Sequence, residues 1–458
     1  MRHHVGTAET PQHEQVVRKA ARRLIPVMCL LYFINYMDRT NVGFAALTMN
    51  EDIGLTTTMY GLGAGLFFIG YFLFEVPSNL ALHRFGARLW ITRIVVTWGA
   101  VAAAMAFVQG PHSFYWLRVL LGIAEAGFFP GMILFLTYWF PRRDRAKMTS
   151  VFYMALPLST VVGAPLSTLL IQHGDGIFGL AGWRFMYLIE GVAAMLLGFV
   201  AYGFLTDRPE TAKWLSPAER RWLTDTIAAE DAATDGGHSH GVLGTLGNPR
   251  VLALAMAYFG IVFGLYSIGF FLPQMIEGFE QQFGQDYGIV EVGLLTAVPY
   301  AVATAAMVVW SRHSDRTGER VWHVALPAFV AAAAVAVSLQ LGSPFLTMVA
   351  ITITTIGIFA AVPSLWQLPS TFLTGAAAAA GIGLINSIGN LSGFVGPYLT
   401  GWLKDLTGSF QTGMLVISAC MVLSGLVVLA LASRSRSEVL TPDVVRVPHR
   451  PKSTDTVV

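Results

Sequence analysis

The chain has 458 residues and a formal net charge of +2, with 12% charged against 54% hydrophobic side chains and a mean hydropathy of +0.59. An ordinary soluble domain carries roughly 25% charged residues, so a soluble globular protein is excluded and a polytopic membrane protein is expected. The two cysteines, Cys29 and Cys420, both lie in apolar segments, which argues against a disulfide framework and against redox chemistry.

A hydrocarbon core about 30 Å thick needs roughly 20 residues of helix. Apolar stretches of that size occur at 24–48, 58–82, 89–109, 113–140, 146–171 and 184–206, and again at 250–277, 288–311, 322–341, 345–372, 377–403 and 410–432. The fold class expected is therefore all-α, with twelve transmembrane helices in two sets of six. Around them lie an N-terminal segment (1–23), a polar linker (207–249) and a tail (433–458), with bundles at 24–206 and 250–432. Interruptions such as Pro26, Pro77, Pro130, Pro157, Pro299 and Pro363 are compatible with membrane helices, because neighbouring helices can satisfy the freed backbone groups. His238 and His240 in the linker lack the further ligands a metal site requires, so no metal is expected.

Lys and Arg gather on alternate loops: Arg18, Lys19, Arg22 and Arg23 at the start, Arg84 and Arg88 after the second stretch, Arg142, Arg143, Arg145 and Lys147 after the fourth. The pattern continues with Arg208, Lys213, Arg220 and Arg221 in the linker, Arg312, Arg316 and Arg320 after the eighth stretch, and Arg434 and Arg436 in the tail. The intervening loops carry mainly acids, with Lys404 the exception, so both termini are expected in the cytoplasm. The basic clusters read as topology determinants and not as nucleic-acid contacts. The charged start runs into a stretch too long for a signal-peptide core, so the first helix is expected to act as its own insertion signal.

The halves are related. HRFGAR at 83–88 returns as DRTGER at 315–320, placing Arg84, Gly86 and Arg88 on Arg316, Gly318 and Arg320 at a shift of 232, and the same shift carries Phe140 onto Phe372, Ala146 onto Ala378 and Pro165 onto Pro397. Two copies of one six-helix unit explain a constant register over so many segments.

Four ionisable residues interrupt the apolar stretches: Asp38 and Arg39 in the first, Arg118 and Glu125 in the fourth. Charge at such depth costs at least about 2.5–3.5 kcal/mol per residue, so its default explanation is a functional site. At the 232 shift these positions hold Phe270, Phe271, Ala350 and Gly357. Structural duties of a duplicated bundle should recur in both copies, so charges confined to one copy point to function. Asp38 and Glu125 each lie about 21–22 Å of helix from the basic side, at similar depth. Arg118 and Glu125 are seven residues apart and share a helix face. The structural alternatives are an ion pair that only fixes packing and, for Arg118, a side chain snorkelling outward.

The segments LYFINYMDRTNVGFA, GYFLFEVPSNLALHRFGAR, LRVLLGIAEAGFFPGMILFLTYWFPRRDRAK and WSRHSDRTGERVWHVALP together resemble the anion:cation symporters of the major facilitator superfamily, of the bacterial tartrate, phthalate and galactonate permease type. The resemblance runs from about 20 to 432 and is most specific in the first half. It implies the major facilitator fold, alternating access to a site between the two bundles, and proton-coupled uptake of a small organic anion across the bacterial inner membrane. By matched position, Arg39 would bind the substrate carboxylate, Asp38 and Glu125 would carry protons, and Arg118 would hold or bias Glu125. Tyr36, Tyr71, Trp366 and Asn386 would complete the pocket. Gln274 and Asn390 join them on chemistry alone, since a hydroxylated acid needs neutral donors and acceptors. Protonating Asp38 would free Arg39 from its neighbour. The gating loops would be Arg84, Gly86, Arg88 and Asp315, Arg316, Gly318, Arg320. The first of these departs from the family pattern, with His83 where an Asp is usual; His83 and His313 read as ordinary loop-end histidines.

The expected partners are thus a small organic anion, protons as the coupling ion, and the bilayer; no other cofactor, nucleic acid or obligate protein partner is expected. An efflux antiporter of the same superfamily is the alternative. A receptor lacks an added signalling domain, and an integral-membrane enzyme lacks a catalytic or metal cluster near one surface.

Overall fold

In a computed structural model, the protein is described over residues 9–235, 244–245, 247–373 and 375–440; His238 and His240 fall outside them. The first six expected spans are α1 (Glu9–Asp52), α2 (Thr57–Phe85), α3 (Ala87–Ala104), the pair α4 (Pro111–Glu125) and α5 (Phe128–Trp139), the pair α6 (Arg142–Tyr153) and α7 (Ala155–Gly174), and α8 (Gly182–Phe204). The linker forms α9 (Pro217–Asp235). The second six are α10 (Pro249–Glu277), α12 (Ile289–Thr317), α13 (Val321–Ser338), α14 (Pro344–Leu365), α15 (Gly375–Thr407) and α16 (Gln411–Leu440), with a short α11 (Phe279–Phe283) after α10. Among the described residues ten helices are long and apolar enough to cross a membrane; α1 and α15, richer in polar residues, complete the twelve. Moving the bounds of α2 by 232 positions gives those of α12, so the repeat read from the loops extends to whole helices.

Two expected helices are broken. The fourth span stops at Glu125 and resumes at Phe128, because Gly127 takes φ +83°, a left-handed turn open to glycine. The fifth bends at Met154. The first break puts Glu125 at a helix end deep inside the bundle.

The face at which α1 begins and α16 ends (the terminal face) is basic. Arg18, Lys19, Arg22 and Arg23 line a cleft of ≈ 690 Å³ beside Phe204 and Trp214. Lys19 Nζ donates to Glu219 Oε2 at 2.8 Å, which holds that carboxyl below the usual carboxylate range. Both expected loop motifs turn through a left-handed glycine, Gly86 at φ +87° and Gly318 at +68°. In the second, Arg320 pairs with Asp315 at 2.9 Å. In the first, Asp207 from the linker accepts from the Arg88 backbone N–H at 2.8 Å, and Arg88 Nε donates to the Tyr202 carbonyl at 2.6 Å. The first loop is thus fastened by a carboxylate 119 residues away that accepts from its backbone, where the second uses an ion pair within the loop. Arg84, Arg316 and His83 are exposed, while His313 lies 2.8 Å from the buried His323.

On the opposite face the two halves are pressed together along α2 and α15. The Asp405 carboxylate accepts from the Thr57 and Thr58 backbone N–H groups at 3.2 and 2.7 Å, and Tyr60 Oη donates to the Phe270 carbonyl at 2.9 Å. Only glycine permits this approach: a Cβ on Gly61 would meet the Pro397 carbonyl oxygen at 2.3 Å, and one on Gly401 that of Thr57 at 2.3 Å. Gly401→Leu is therefore expected to keep this face apart. A cysteine placed at Asn390 in the variant should then react with a membrane-impermeant maleimide added from that side, whereas unchanged protection would show that this contact does not close the face.

Candidate functional site

A cavity of ≈ 980 Å³ separates the two halves and reaches the terminal face, where its rim is made by Thr149, Ser150, Ser311, Arg312, Asp315 and Gln367. Its walls include six of the expected binding residues: Tyr36, Arg39 and Tyr71 from the first half, Trp366, Asn386 and Asn390 from the second. Trp366 meets the Tyr258 ring edge-on at 4.8 Å. Gln274 is not in the wall. It lies one turn from the end of α10 nearest the sealed face, and its amide nitrogen is buried without a partner.

Arg39 is the cation of the cavity's deep wall, with Arg312 at the rim. Its guanidinium lies 5.1 Å from the Phe67 ring centroid and 5.3 Å from that of Tyr71, and its side chain keeps 11% exposure. Behind it, Glu125 is fully buried and accepts a hydrogen bond from Arg39 through Oε1, while Oε2 has no partner. The cavity wall therefore presents a cation whose counter-ion is out of substrate's reach.

Two expectations about this group change. Asp38 does not neighbour Arg39 in space: it turns into the first bundle, where Trp98 Nε1 donates to its Oδ2 at 2.8 Å. Successive helical residues point about 100° apart, so adjacency in the chain separates their side chains. The acid that restrains Arg39 is Glu125. Arg118, in turn, does not bond to Glu125 and does not snorkel. It is fully buried, donates to the carbonyls of Gly63 and Ala64 at 3.3 Å each, and lies 5.1 Å from the same Phe67 ring that Arg39 approaches. Its influence on Glu125 acts through space.

Sequence reading also missed two acids. Glu75 lines the cavity near Arg39, and Glu190 is buried in α8. Both interrupt apolar stretches and correspond at the 232 shift to Met307 and Val422, so the test that selected Asp38 and Glu125 would have selected them too.

Comparison with known proteins fixes the family. Residues 28–397 match the Major Facilitator Superfamily. The chain belongs to that superfamily. A protein of Agrobacterium vitis named "Putative tartrate transporter" is 52% identical over 436 residues, covering 95% of each chain. The "Quinolone resistance transporter" of Acinetobacter baumannii is 42% identical over 409 residues, covering 89% of this chain and 93% of its own. Among solved structures, a D-xylose-proton symporter superposes with TM-score 0.71 at 14% identity, covering 89% of this chain and 96% of its own, which shows the shared fold. As a Major Facilitator Superfamily member this protein is a multi-pass membrane transporter of small molecules and not an enzyme.

Proposed function

We propose that this transporter carries a small organic acid inward together with protons, that a hydroxylated dicarboxylate of the tartrate type is the leading substrate, and that proton binding to Glu125 releases Arg39 to the substrate. The Arg39–Glu125 pair carries this reading, because its cation faces the cavity and its anion is sealed behind. A guanidinium offers the planar fork that a carboxylate fits. A buried pair that loses one partner is left with a costly lone charge, so Arg39 leaves Glu125 readily only when a proton takes its place. Proton and substrate then favour each other's binding. The tartrate assignment rests on the Agrobacterium vitis relative, and Asn386 and Asn390 supply neutral groups suited to hydroxyls.

With the basic face cytoplasmic, the cavity opens inward and the α2–α15 contact closes the outer gate. The Arg84–Arg88 and Asp315–Arg320 loops lie where an inner gate would form. Charge sets the energetics: a dicarboxylate dianion moving with two protons is electroneutral, with one proton it moves against an interior-negative potential, and each proton beyond two adds about 2.3 kcal/mol per 100 mV.

Thermal unfolding of the purified protein with a panel of acids tests the substrate class. A ligand bound only by the folded state raises stability with the logarithm of its concentration. Tartrate is expected to raise the melting temperature in wild type but not in Arg39→Ala; equal shifts in both would disconnect Arg39 from binding. A second reading, efflux of aromatic organic compounds, draws on the Acinetobacter baumannii relative and on the cavity's rings, Tyr32, Tyr36, Phe68, Tyr71 and Tyr266. Stabilisation by a quinolone and none by tartrate would favour it.

A further inference from the structure

The ≈ 690 Å³ cleft on the terminal face lies apart from the central cavity and shares no residue with it. Gln15, Arg18, Lys19, Arg22 and Pro26 recur at helical spacing along one side of α1, and Phe204 at the end of α8 and Trp214 in the linker complete the lining. Arg18 and Arg22 are exposed, and among the described residues neither they nor Arg23 form an ion pair with an acid. Arg23 is drawn over the rings, 5.7 Å from the Phe204 centroid and 5.3 Å from that of Trp214, with its Nε buried and unpartnered. Lys19 alone of the four is matched, by Glu219.

The cleft sits at the level of lipid headgroups. The first apolar stretch starts at residue 24, so the four cations occupy the turns just outside the hydrocarbon, spread over about 7.5 Å of helix. One turn deeper the same side of α1 becomes apolar at Pro26 and Val27, and Leu30 beyond them is 47% exposed. On α8, Phe204 is 45% exposed and Val200, one turn further in, 50%. In membrane-spanning helices such surface meets lipid tails. A basic hollow with an apolar flank beneath it fits the two ends of one phospholipid. Topology alone does not require this: loop charge orients a helix by its number near the span and needs no hollow. At the 232 shift Arg18 meets Arg250, but Lys19, Arg22 and Arg23 become Val251, Leu254 and Ala255, so the sister bundle starts its first helix without the cluster.

We propose that this cleft binds the phosphate headgroup of an anionic phospholipid from the leaflet on the terminal side, with Arg18 and Arg22 donating to the phosphate oxygens and an acyl chain lying along Leu30 and Phe204. A guanidinium presents parallel N–H donors that match a phosphate. The lipid so held joins α1, α8 and the linker, three elements that the Lys19–Glu219 bond and the Arg23 ring contacts already bring together.

Native mass spectrometry of the full chain, titrated with phosphatidylglycerol and with phosphatidylcholine of the same acyl chains, reads the bound lipid directly. Wild type is expected to retain phosphatidylglycerol in preference. Arg18→Gln combined with Arg22→Gln should weaken that binding by about fivefold for each cation removed. Lys213→Gln combined with Arg221→Gln removes the same charge from exposed linker positions outside the cleft and should leave it unchanged. Glycerol 3-phosphate, which carries the phosphate without the tails, should fail to displace the lipid at equal concentration. Equal loss in the two double variants would reduce the effect to net charge, full retention by the Arg18, Arg22 variant would place the lipid elsewhere, and glycerol 3-phosphate binding as tightly as the lipid would make the ligand a soluble phosphate. Each of these results, or equal retention of phosphatidylcholine, would overturn the proposal.

Discussion

Arg39→Ala should abolish tartrate uptake, and Arg39→Lys should recover little of it. Among the described residues, the substitution removes the only cation on the deep wall of the cavity, and it leaves Glu125, fully buried, without its partner. Breaking a buried pair in this way costs about 3–5 kcal/mol; a loss of about 3 kcal/mol in substrate binding alone is roughly a hundredfold in affinity. Lysine restores charge but not the planar fork, nor the ring contacts with Phe67 and Tyr71. Stability and function can be separated with a double variant. Arg39→Ala with Glu125→Gln removes both charges, so thermal stability should return toward wild type while uptake stays absent. Uptake by the double variant would show that the substrate's carboxylate is held elsewhere.

Glu125→Gln should separate binding from coupling. In wild type, tartrate affinity is expected to fall as pH rises, because the proton on Glu125 must be in place before Arg39 is free. With Gln the guanidinium loses the anion bonded to it, leaving only Glu75 of the cavity wall nearby, so affinity should fall far less with pH and be at least equal to the wild-type value at low pH. Counterflow across the membrane persists, since it needs only binding and alternating access. Net accumulation against a tartrate gradient should disappear. A binding curve in the variant that falls with pH as steeply as in wild type would move the proton site away from Glu125.

The architecture was largely readable in the chain. Helix-length apolar runs, loop charge and the HRFGAR–DRTGER echo locate twelve helices and their duplication because hydrocarbon thickness and backbone satisfaction leave few alternatives. The charged residues of the site were legible for the same reason, as charges that one copy carries and the other lacks. Who pairs with whom was not. Partners depend on breaks such as that at Gly127, which ends α4 at Glu125 behind Arg39, and on rotation about each helix axis, which turns Asp38 of α1 toward Trp98. The resemblance implied that Arg118 would hold or bias Glu125; two backbone carbonyls of α2, those of Gly63 and Ala64, accept its hydrogen bonds. Gln274 has suitable chemistry for the pocket, but it lies toward the sealed end of α10, outside the cavity.

The central claim is that a proton takes the place of Arg39 on Glu125 when the acid binds. Its most direct test imposes a pH gradient, interior alkaline, on proteoliposomes containing wild type or Glu125→Gln and follows radiolabelled tartrate with equal tartrate on both sides. The account predicts transient accumulation inside by wild type, collapse on adding a protonophore, and none with Glu125→Gln despite normal counterflow. Equal accumulation by the two proteins, or wild-type uptake indifferent to the gradient, would contradict it.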